Sequence, residues 1–305
     1  MVDADSVEAR STQPTYRRVA VAALVAVTAV WGLTFVVVKD AIERMPTMDF
    51  LAERFTLAAV VMVAVRPPAL RRIDPVALRR GIVLGLVLGG AYIAQTVGLE
   101  DISPAVSGFL TGLFVVLTPV VGAVLLRARP GREVWVAVML ATAGLALISL
   151  RGASFGGGES LTLLCALGFA IHIVGLAAWT DQSDLWALSI VQLVTAATLC
   201  AVVAAPGGIT RPPDAASVFA LVLTAVFATA VAYAVQTWAQ RRLAASQVAI
   251  VLTMEPVFAG VFAVLFAAQV LSWSLIIGGA AIVVAMYVAD LGARHQAGRL
   301  SVLEP

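Results

Sequence analysis

Residues 91–96 read Ala-Tyr-Ile-Ala-Gln-Thr, and residues 232–237 repeat them as Ala-Tyr-Ala-Val-Gln-Thr. The two stretches lie about 140 residues apart, each within a long apolar segment. Pro119-Val120 recurs at a similar distance as Pro256-Val257, and Trp31-Gly32 has a weaker counterpart in Phe169-Ala170. The 305-residue chain is therefore predicted to contain two halves of similar structure.

The composition indicates what surrounds these halves. Hydrophobic residues make up 61% of the chain and charged residues 12%, whereas soluble domains have about 25% charged residues. A water-facing surface cannot be built with so little charge, so most of the surface must face lipid. The composition predicts an integral membrane protein with no soluble domain.

Apolar runs of membrane-spanning length fill the chain. A helix needs about 20 apolar residues to cross the hydrocarbon core. Charged residues, proline or glycine separate most runs, and the least distinct break lies between Gln269 and Ser274. The predicted spans cover residues 19–38, 48–65, 81–98, 103–126, 133–150, 159–179, 185–205, 215–238, 243–268 and 272–290.

The positions of the basic residues orient these spans. Cytoplasmic loops of membrane proteins are enriched in Lys and Arg. With both termini in the cytoplasm, fifteen of the twenty basic residues fall on that side and four on the other, while Arg54 lies inside a span. One predicted cytoplasmic loop, Asp181 to Asp184, has no basic residue. The pattern predicts a multi-pass protein of the cytoplasmic (inner) membrane with both termini inside.

Five spans per half require the second half to enter the membrane from the opposite side. The predicted fold is an all-α membrane protein with ten transmembrane helices in two inverted five-helix repeats. Inverted repeats are typical of alternating-access carriers, whose substrate site lies between the repeats near the midplane. The predicted segments are tail 1–18, repeat 19–150, connecting loop 151–158, repeat 159–290 and tail 291–305.

Six short motifs follow one another along residues 20–290. They are Val-Trp-Gly-Leu-Thr-Phe at 30–35, Phe-Leu-Ala-Glu-Arg-Phe at 50–55, Tyr-Ile-Ala-Gln-Thr-Val-Gly-Leu at 92–99, Ser-Pro-Ala-Val-Ser-Gly-Phe-Leu at 103–110, Gln-Thr-Trp-Ala-Gln at 236–240 and Met-Glu-Pro-Val-Phe-Ala at 254–259. Their order and spacing resemble the EamA-type family of the drug/metabolite transporter superfamily. The resemblance implies ten helices in two inverted halves, and export or exchange of small metabolites without specifying which.

The sequence departs from the family pattern after the fourth and ninth predicted helices. Such proteins often carry a Gly-Glu pair at these places. Here the sequence reads Arg127-Ala128-Arg129 and Ala267-Ala268-Gln269. The resemblance therefore implies nothing about the turn or an ion pair there.

Glu255 is predicted to lie in the middle of the ninth helix. A charged carboxylate at that depth costs at least about 2.5 kcal/mol, so it marks a cavity, an ion pair or a protonated group. Glu255 is a candidate for proton coupling or for binding a substrate amine; the alternative is a structural bond to a neighbouring helix. Pro119 and Pro256 are helix-break candidates, and Pro256 would free the carbonyl of Leu252.

Arg54 lies within a turn of the centre of the second predicted helix. Adjacent helical residues do not face each other, so Glu53 is a poor partner for it. Arg54 is expected either to pair with another helix, with Glu255 as the candidate, or to bind a substrate carboxylate. Glu53 is expected to reach out to the outer interface.

Six further polar or aromatic residues are candidates for the same site. They are His172, Gln95, Gln236, Trp31, Tyr92 and Tyr233. His172 is either a satisfied bundle residue or a protonation switch. The glutamines either bind substrate or join helices, and the aromatic residues either wall a pocket or fill the core. Gly81, Gly85 and Gly89 share one helix face and predict close helix packing.

These features predict a secondary active transporter that moves a small metabolite or drug-like molecule by alternating access, with protons as a candidate coupling ion. The alternative is a receptor, scaffold or channel in the membrane. An enzyme is not expected, since the chain has two histidines, with His295 in a tail, and no cluster of catalytic groups. Cys165 and Cys200 sit in apolar runs, and no metal, cofactor or nucleic acid is expected. The expected partners are the lipid bilayer and a small-molecule substrate, and a homodimer remains open.

Overall fold

The computed structural model describes residues 14–102, 104–127, 130–149, 156–180, 183–266, 273, 276–285 and 287–289. Every regular element in these ranges is a helix. Residues 1–13 of the predicted N-terminal tail, the predicted C-terminal tail, the Gln269–Ser274 break except residue 273, Asp181, and the motif at 267–269 lie outside them. Residues 14–18, predicted to belong to the tail, are the start of the first helix. Of the other departing motif, Arg127 is described and has a positive φ of 53°.

The helices are named α1 to α10 in chain order. They are α1 (Pro14–Ile42), α2 (Thr47–Val65), α3 (Pro75–Asp101), α4 (Pro104–Gly112 and Phe114–Leu125), α5 (Arg132–Ser149), α6 (Gly157–Trp179), α7 (Leu185–Ala204), α8 (Ala215–Ala225, a π-helical turn Val226–Val231, and Ala232–Gln240), α9 (Ala245–Leu252 and Met254–Phe266) and α10 (Ile276–Ala289). Pro67–Arg72 and Ala205–Gly207 form short 3₁₀ helices.

Six segments of the described chain are long and apolar enough to cross a membrane alone. They are Tyr16–Ile42, Pro75–Asp101, Val106–Leu125, Gly157–Trp179, Leu185–Gly207 and Ala215–Gln240. Two further apolar helices, Ala245–Ala259 and Ile276–Ala289, are shorter. The chain is thus an all-helical integral membrane protein with several spans, and the count of ten remains a prediction.

The interruptions of α4 and α9 lie upstream of the two prolines. Helix α4 is interrupted at Leu113, and Pro119 lies inside its second segment. Helix α9 is interrupted at Thr253, and Pro256 lies in the first turn of its second segment. A proline is well tolerated in a first turn, where its missing N–H has no intrahelical partner. Pro256 therefore follows a break, and Pro119 is not itself the site of one.

Most of the packing occurs between the two halves of the chain. Helix α3 lies along α6 and α7, while α8 lies along α1 and α2. Helix α4 contacts α6, and α9 contacts α1. These contacts match when each helix of the first half is exchanged with the helix five positions later. The contacts of α3 with α6 and α7 then become those of α8 with α1 and α2, and the contact of α4 with α6 becomes that of α9 with α1. The halves thus interlock in an arrangement that repeats itself.

The glycine face of α3 allows its close approach to α7. A Cβ atom on Gly85 would lie 2.5 Å from both the Gln192 carbonyl oxygen and Thr195 Cβ. A Cβ on Gly81 would lie 2.5 Å from the Val191 side chain. Such contacts are too short for any side chain to fit. The close packing that the glycine spacing predicted is confirmed.

Ion pairs tie loops of the two halves together at opposite ends of the bundle. Arg44, after α1, pairs with Asp214, the N-cap of α8, at 3.0 Å. Arg72, before α3, pairs with Asp184, the N-cap of α7, at 3.1 Å. The first pair joins the α1–α2 loop to the α7–α8 loop, and the second joins the α2–α3 loop to the α6–α7 loop. In both pairs, the loop between the first and second helices of one half meets the loop between the second and third helices of the other.

Candidate functional site

A cavity lies between the two halves. The first four helices of the first half and helices α6, α8 and α9 of the second half form its wall. The lining residues are Trp31, Thr34, Phe35, Val38, Arg54, Tyr92, Gln95, Thr96, Leu99, Thr111, Phe114, Phe169, His172, Ile173, Tyr233, Gln236, Leu252 and Glu255. The cavity is thus largely apolar, with a few polar groups, an arginine and a glutamate, as is typical of small-molecule sites.

The structure brings all eight residues singled out from the sequence to this one wall. The two tyrosines of the internal repeat meet directly, because the Tyr233 hydroxyl donates to the Tyr92 hydroxyl at 3.1 Å. Their rings are 6.4 Å apart and nearly perpendicular. Residues at corresponding positions of the two halves therefore come together at the cavity.

Arg54 is buried, with 3% of its surface exposed. Its Nε donates to the Thr229 hydroxyl at 2.9 Å, and its guanidinium lies 4.7 Å from the centre of the Tyr92 ring. Neither Nη group donates to another described residue, and no described ion pair joins Arg54 to Glu255. The expected partnership of these two residues is absent, and the guanidinium keeps its Nη donors for the cavity.

Glu255 lies two residues after the interruption of α9 and is half-buried. No described residue donates a hydrogen bond to its carboxylate. Gly32 of α1 lies directly against this turn, because a Cβ there would be 2.8 Å from the Glu255 carbonyl oxygen and 2.7 Å from the Ala259 nitrogen. The glycine lets α1 approach closely, and the carboxylate lines the cavity without a hydrogen-bond partner in the described part of the chain.

His172 is held by a buried amide. Its Nε2 lies 2.8 Å from Gln192 Oε1, and its ring lies 5.7 Å from that of Tyr233, edge to face. The bond fits the expectation of a satisfied bundle residue, although the ring also lines the cavity.

The two repeat-related glutamines use their amides differently. Gln95 Nε2 donates to the Thr111 hydroxyl at 3.1 Å. Gln236 Nε2 donates to Gln240 at 3.1 Å, and Gln240 donates to the Ile173 carbonyl at 2.7 Å. Gln236 Oε1 is buried without a partner among the described residues. Gln236 thus bonds within α8 to Gln240, which in turn joins α8 to α6, and its own Oε1 stays without a partner among the described residues.

Sequence reasoning did not single out several lining residues. Phe169 packs edge to face on Tyr92 with ring centres 5.3 Å apart, and its weak match to Trp31 was the one signal that could have identified it. Thr111 and Phe114 carry no distinguishing pattern, whereas Leu252, whose carbonyl Pro256 was expected to free, does line the cavity.

Glu53, which was expected to reach out to the outer interface, does not line the cavity. The side chain is half-buried, and its Oε2 is enclosed with no hydrogen-bond partner among the described residues. Adjacent residues of a helix point in different directions. Of these two neighbours, therefore, Arg54 lines the cavity and Glu53 does not.

Comparison with known proteins identifies the family. The model of the EamA-like transporter family matches the chain twice, over residues 18–150 and 156–289. A protein of Archaeoglobus fulgidus described as an uncharacterized transporter is 30% identical over 268 residues, covering 88% of this chain and 84% of that protein. A solved structure, described only as the crystal structure of a protein, shares the fold with a TM-score of 0.76 and 19% identity, over 93% of this chain and 99% of that one. The chain is therefore a membrane transporter protein that belongs to the EamA-like transporter family.

Proposed function

We propose that this protein is a secondary active transporter that carries a small polar or amphipathic molecule through the membrane by alternating access. The observation that carries the proposal is the cavity between the two halves, whose wall holds Arg54 and Glu255 without an ion pair between them. A buried charge without a counter-charge is expensive and is retained where a ligand or a proton supplies the partner.

The packing supports two halves that move relative to each other. The contacts of α3 and α4 with the second half have counterparts, those of α8 and α9 with the first half, in which the two halves exchange roles. Such an arrangement is expected for inverted repeats around a central site. In our proposal the halves rock about this site and open it to each side in turn. In our proposal both termini lie in the cytoplasm, which the excess of basic residues in alternate loops supports.

Arg54 and Glu255 have distinct proposed roles. Arg54 offers two Nη groups in a planar fork suited to an oxyanion. Glu255 is the acceptor for a substrate ammonium group or for the coupling proton. The aromatic residues Trp31, Tyr92 and Tyr233 enclose an apolar part of the substrate.

The test is a counterflow assay with the purified protein in proteoliposomes, against a panel of labelled metabolites at two pH values. A carrier exchanges internal unlabelled substrate for external labelled substrate, which produces a transient overshoot. We expect an overshoot for at least one compound and a change in its rate with pH. Steady equilibration with no overshoot would indicate a channel. Movement of no compound, together with tight binding of a partner protein, would overturn the carrier proposal.

A further inference from the structure

Helix α8 contains a π-helical turn at Val226–Val231, immediately before the cavity residues Tyr233 and Gln236. The N–H of Ala232 bonds to the carbonyls of Phe227 and Thr229. In an α-helix this N–H would bond to Ala228, four residues earlier. The wide turn therefore leaves the Ala228 carbonyl without that intrahelical donor. Such turns frequently occur at functional sites.

The corresponding helix of the first half shows where the turn comes from. Helices α3 and α8 both begin after an aspartate N-cap, Asp74 or Asp214, whose side chain accepts from the backbone N–H three residues later. Tyr92 follows Asp74 by 18 positions, and Tyr233 follows Asp214 by 19. Helix α3 runs without interruption. The second half thus has one extra residue between matching landmarks, and α8 accommodates it as the π-helical turn.

Two residues of the first half bind the groups that this turn presents. The indole Nε1 of Trp31 donates to the released Ala228 carbonyl at 2.7 Å. The Nε of Arg54 donates to the Thr229 hydroxyl, which itself donates to the Thr224 carbonyl at 2.8 Å. Thr229 is fully buried. The turn therefore fixes the side chains of two cavity residues from across the interface between halves.

We propose that this one-residue insertion is a positioning element of the transport site, in which Thr229 orients Arg54 to bind a carboxylate of the substrate. Thr229 engages Nε, the one guanidinium nitrogen that bidentate end-on binding does not need. The two Nη groups are left parallel for the two oxygens of a carboxylate. The ring of Tyr92 on the guanidinium face restricts the remaining rotation.

This inference rests on the proposed function in one respect, that the cavity binds the substrate. A binding assay tests the role of Thr229 without any measurement of transport. The probe is radiolabelled benzoate, a flat monocarboxylate that suits both the guanidinium and the aromatic wall. Its binding to purified, detergent-solubilised protein is measured for the wild type, Thr229→Val, Thr229→Ser and a variant lacking Ala230. Valine keeps the shape of threonine without the hydroxyl, whereas serine keeps the hydroxyl.

We expect benzoate to bind the wild type and Thr229→Ser with similar affinity. Loss of a hydrogen bond that orients a charged group should weaken binding to Thr229→Val roughly tenfold or more. The deletion should give α8 the spacing of α3, so the variant should fold as a monodisperse protein and also bind benzoate weakly.

Equal affinity of wild type and Thr229→Val would overturn the role of Thr229. Failure of the wild type to bind benzoate would overturn the carboxylate assignment. A result of binding without transport would refute the carrier function and leave the positioning role standing.

Discussion

The Tyr233 hydroxyl donates a hydrogen bond to the Tyr92 hydroxyl across the cavity wall, at 3.1 Å. The two residues stand at corresponding places in two sequence repeats, and both are at most 5% exposed. Contacts between corresponding residues are expected where two repeats meet on an axis that relates them. The tyrosine pair therefore marks the place where the halves meet, and the cavity lies beside it.

The tyrosine bond should show strong coupling in a double-mutant cycle. Replacing either residue by Phe leaves the other buried hydroxyl without this partner, which costs about 1–3 kcal/mol. We expect Tyr92→Phe and Tyr233→Phe each to lower the thermal unfolding temperature in detergent. The double variant should lose less than the sum of the two, because it leaves no orphaned hydroxyl. Strictly additive losses would show that the two hydroxyls do not interact.

The glycine face of α3 offers a test of helix packing with a control in the same helix. A Cβ on Gly85 would meet the Gln192 carbonyl oxygen at 2.5 Å, whereas a Cβ on Gly90 would have no atom within 4 Å. We expect Gly85→Ala to reduce the free energy of unfolding by about 1–3 kcal/mol through overpacking. Gly90→Ala should leave it unchanged or slightly higher. Equal unfolding temperatures of the two variants would contradict the close approach of α3 and α7.

Asp184 gives a prediction for pH dependence outside the membrane. Partial burial acts to raise the pKa of its carboxyl, but hydrogen bonds from the Ala187 N–H and from Arg72 outweigh it and lower the pKa below 3.8. A carboxyl with a depressed pKa stabilises the fold above its unfolded-state pKa and loses this contribution as pH falls through the folded-state value.

We therefore expect Asp184→Ala to lower the free energy of unfolding by about 1 kcal/mol at neutral pH. Asp184→Asn should cost less, because its amide oxygen still caps α7. Thermal unfolding measured over a pH series should show the gap between wild type and Asp184→Ala narrowing below about pH 4. A gap that stays constant down to pH 2 would exclude an electrostatic contribution.

The sequence was sufficient to predict the membrane class, the helical fold and the gathering of eight cavity residues. Their common property is local: each is polar or aromatic within an apolar helix, and burial in lipid selects such residues for the bundle interior. Contacts between helices were harder to predict. Arg54 was expected either to pair with another helix, with Glu255 as the candidate, or to bind a substrate carboxylate. Its described contacts are with Thr229 and Tyr92, because the orientation of a guanidinium depends on which turn of a distant helix lies opposite.

The π-helical turn shows the same limit in another form. Hydrophobic periodicity over 215–240 reads as an uninterrupted helix, since one wide turn shifts the pattern by a single residue. The signal was present only in the comparison of Asp74–Tyr92 with Asp214–Tyr233, and recognising it required knowing that both aspartates are N-caps. Likewise, Pro119 and Pro256 predicted helix interruptions close to the observed ones, but the interruptions themselves lie upstream, at Leu113 and Thr253.

The most direct test of the proposed site compares two carboxylates in one transport assay. Glu255 lines the cavity, whereas Glu133 is exposed in the first turn of α5. Counterflow in proteoliposomes is measured over a pH series for the wild type, Glu255→Gln and Glu133→Gln, using a compound that the wild type carries. We predict that Glu255→Gln lowers the rate at least about tenfold, equivalent to about 1.4 kcal/mol of lost interaction, and removes its dependence on pH. Glu133→Gln should match the wild type. Wild-type rates and pH dependence in Glu255→Gln would contradict a substrate or proton site at this cavity carboxylate.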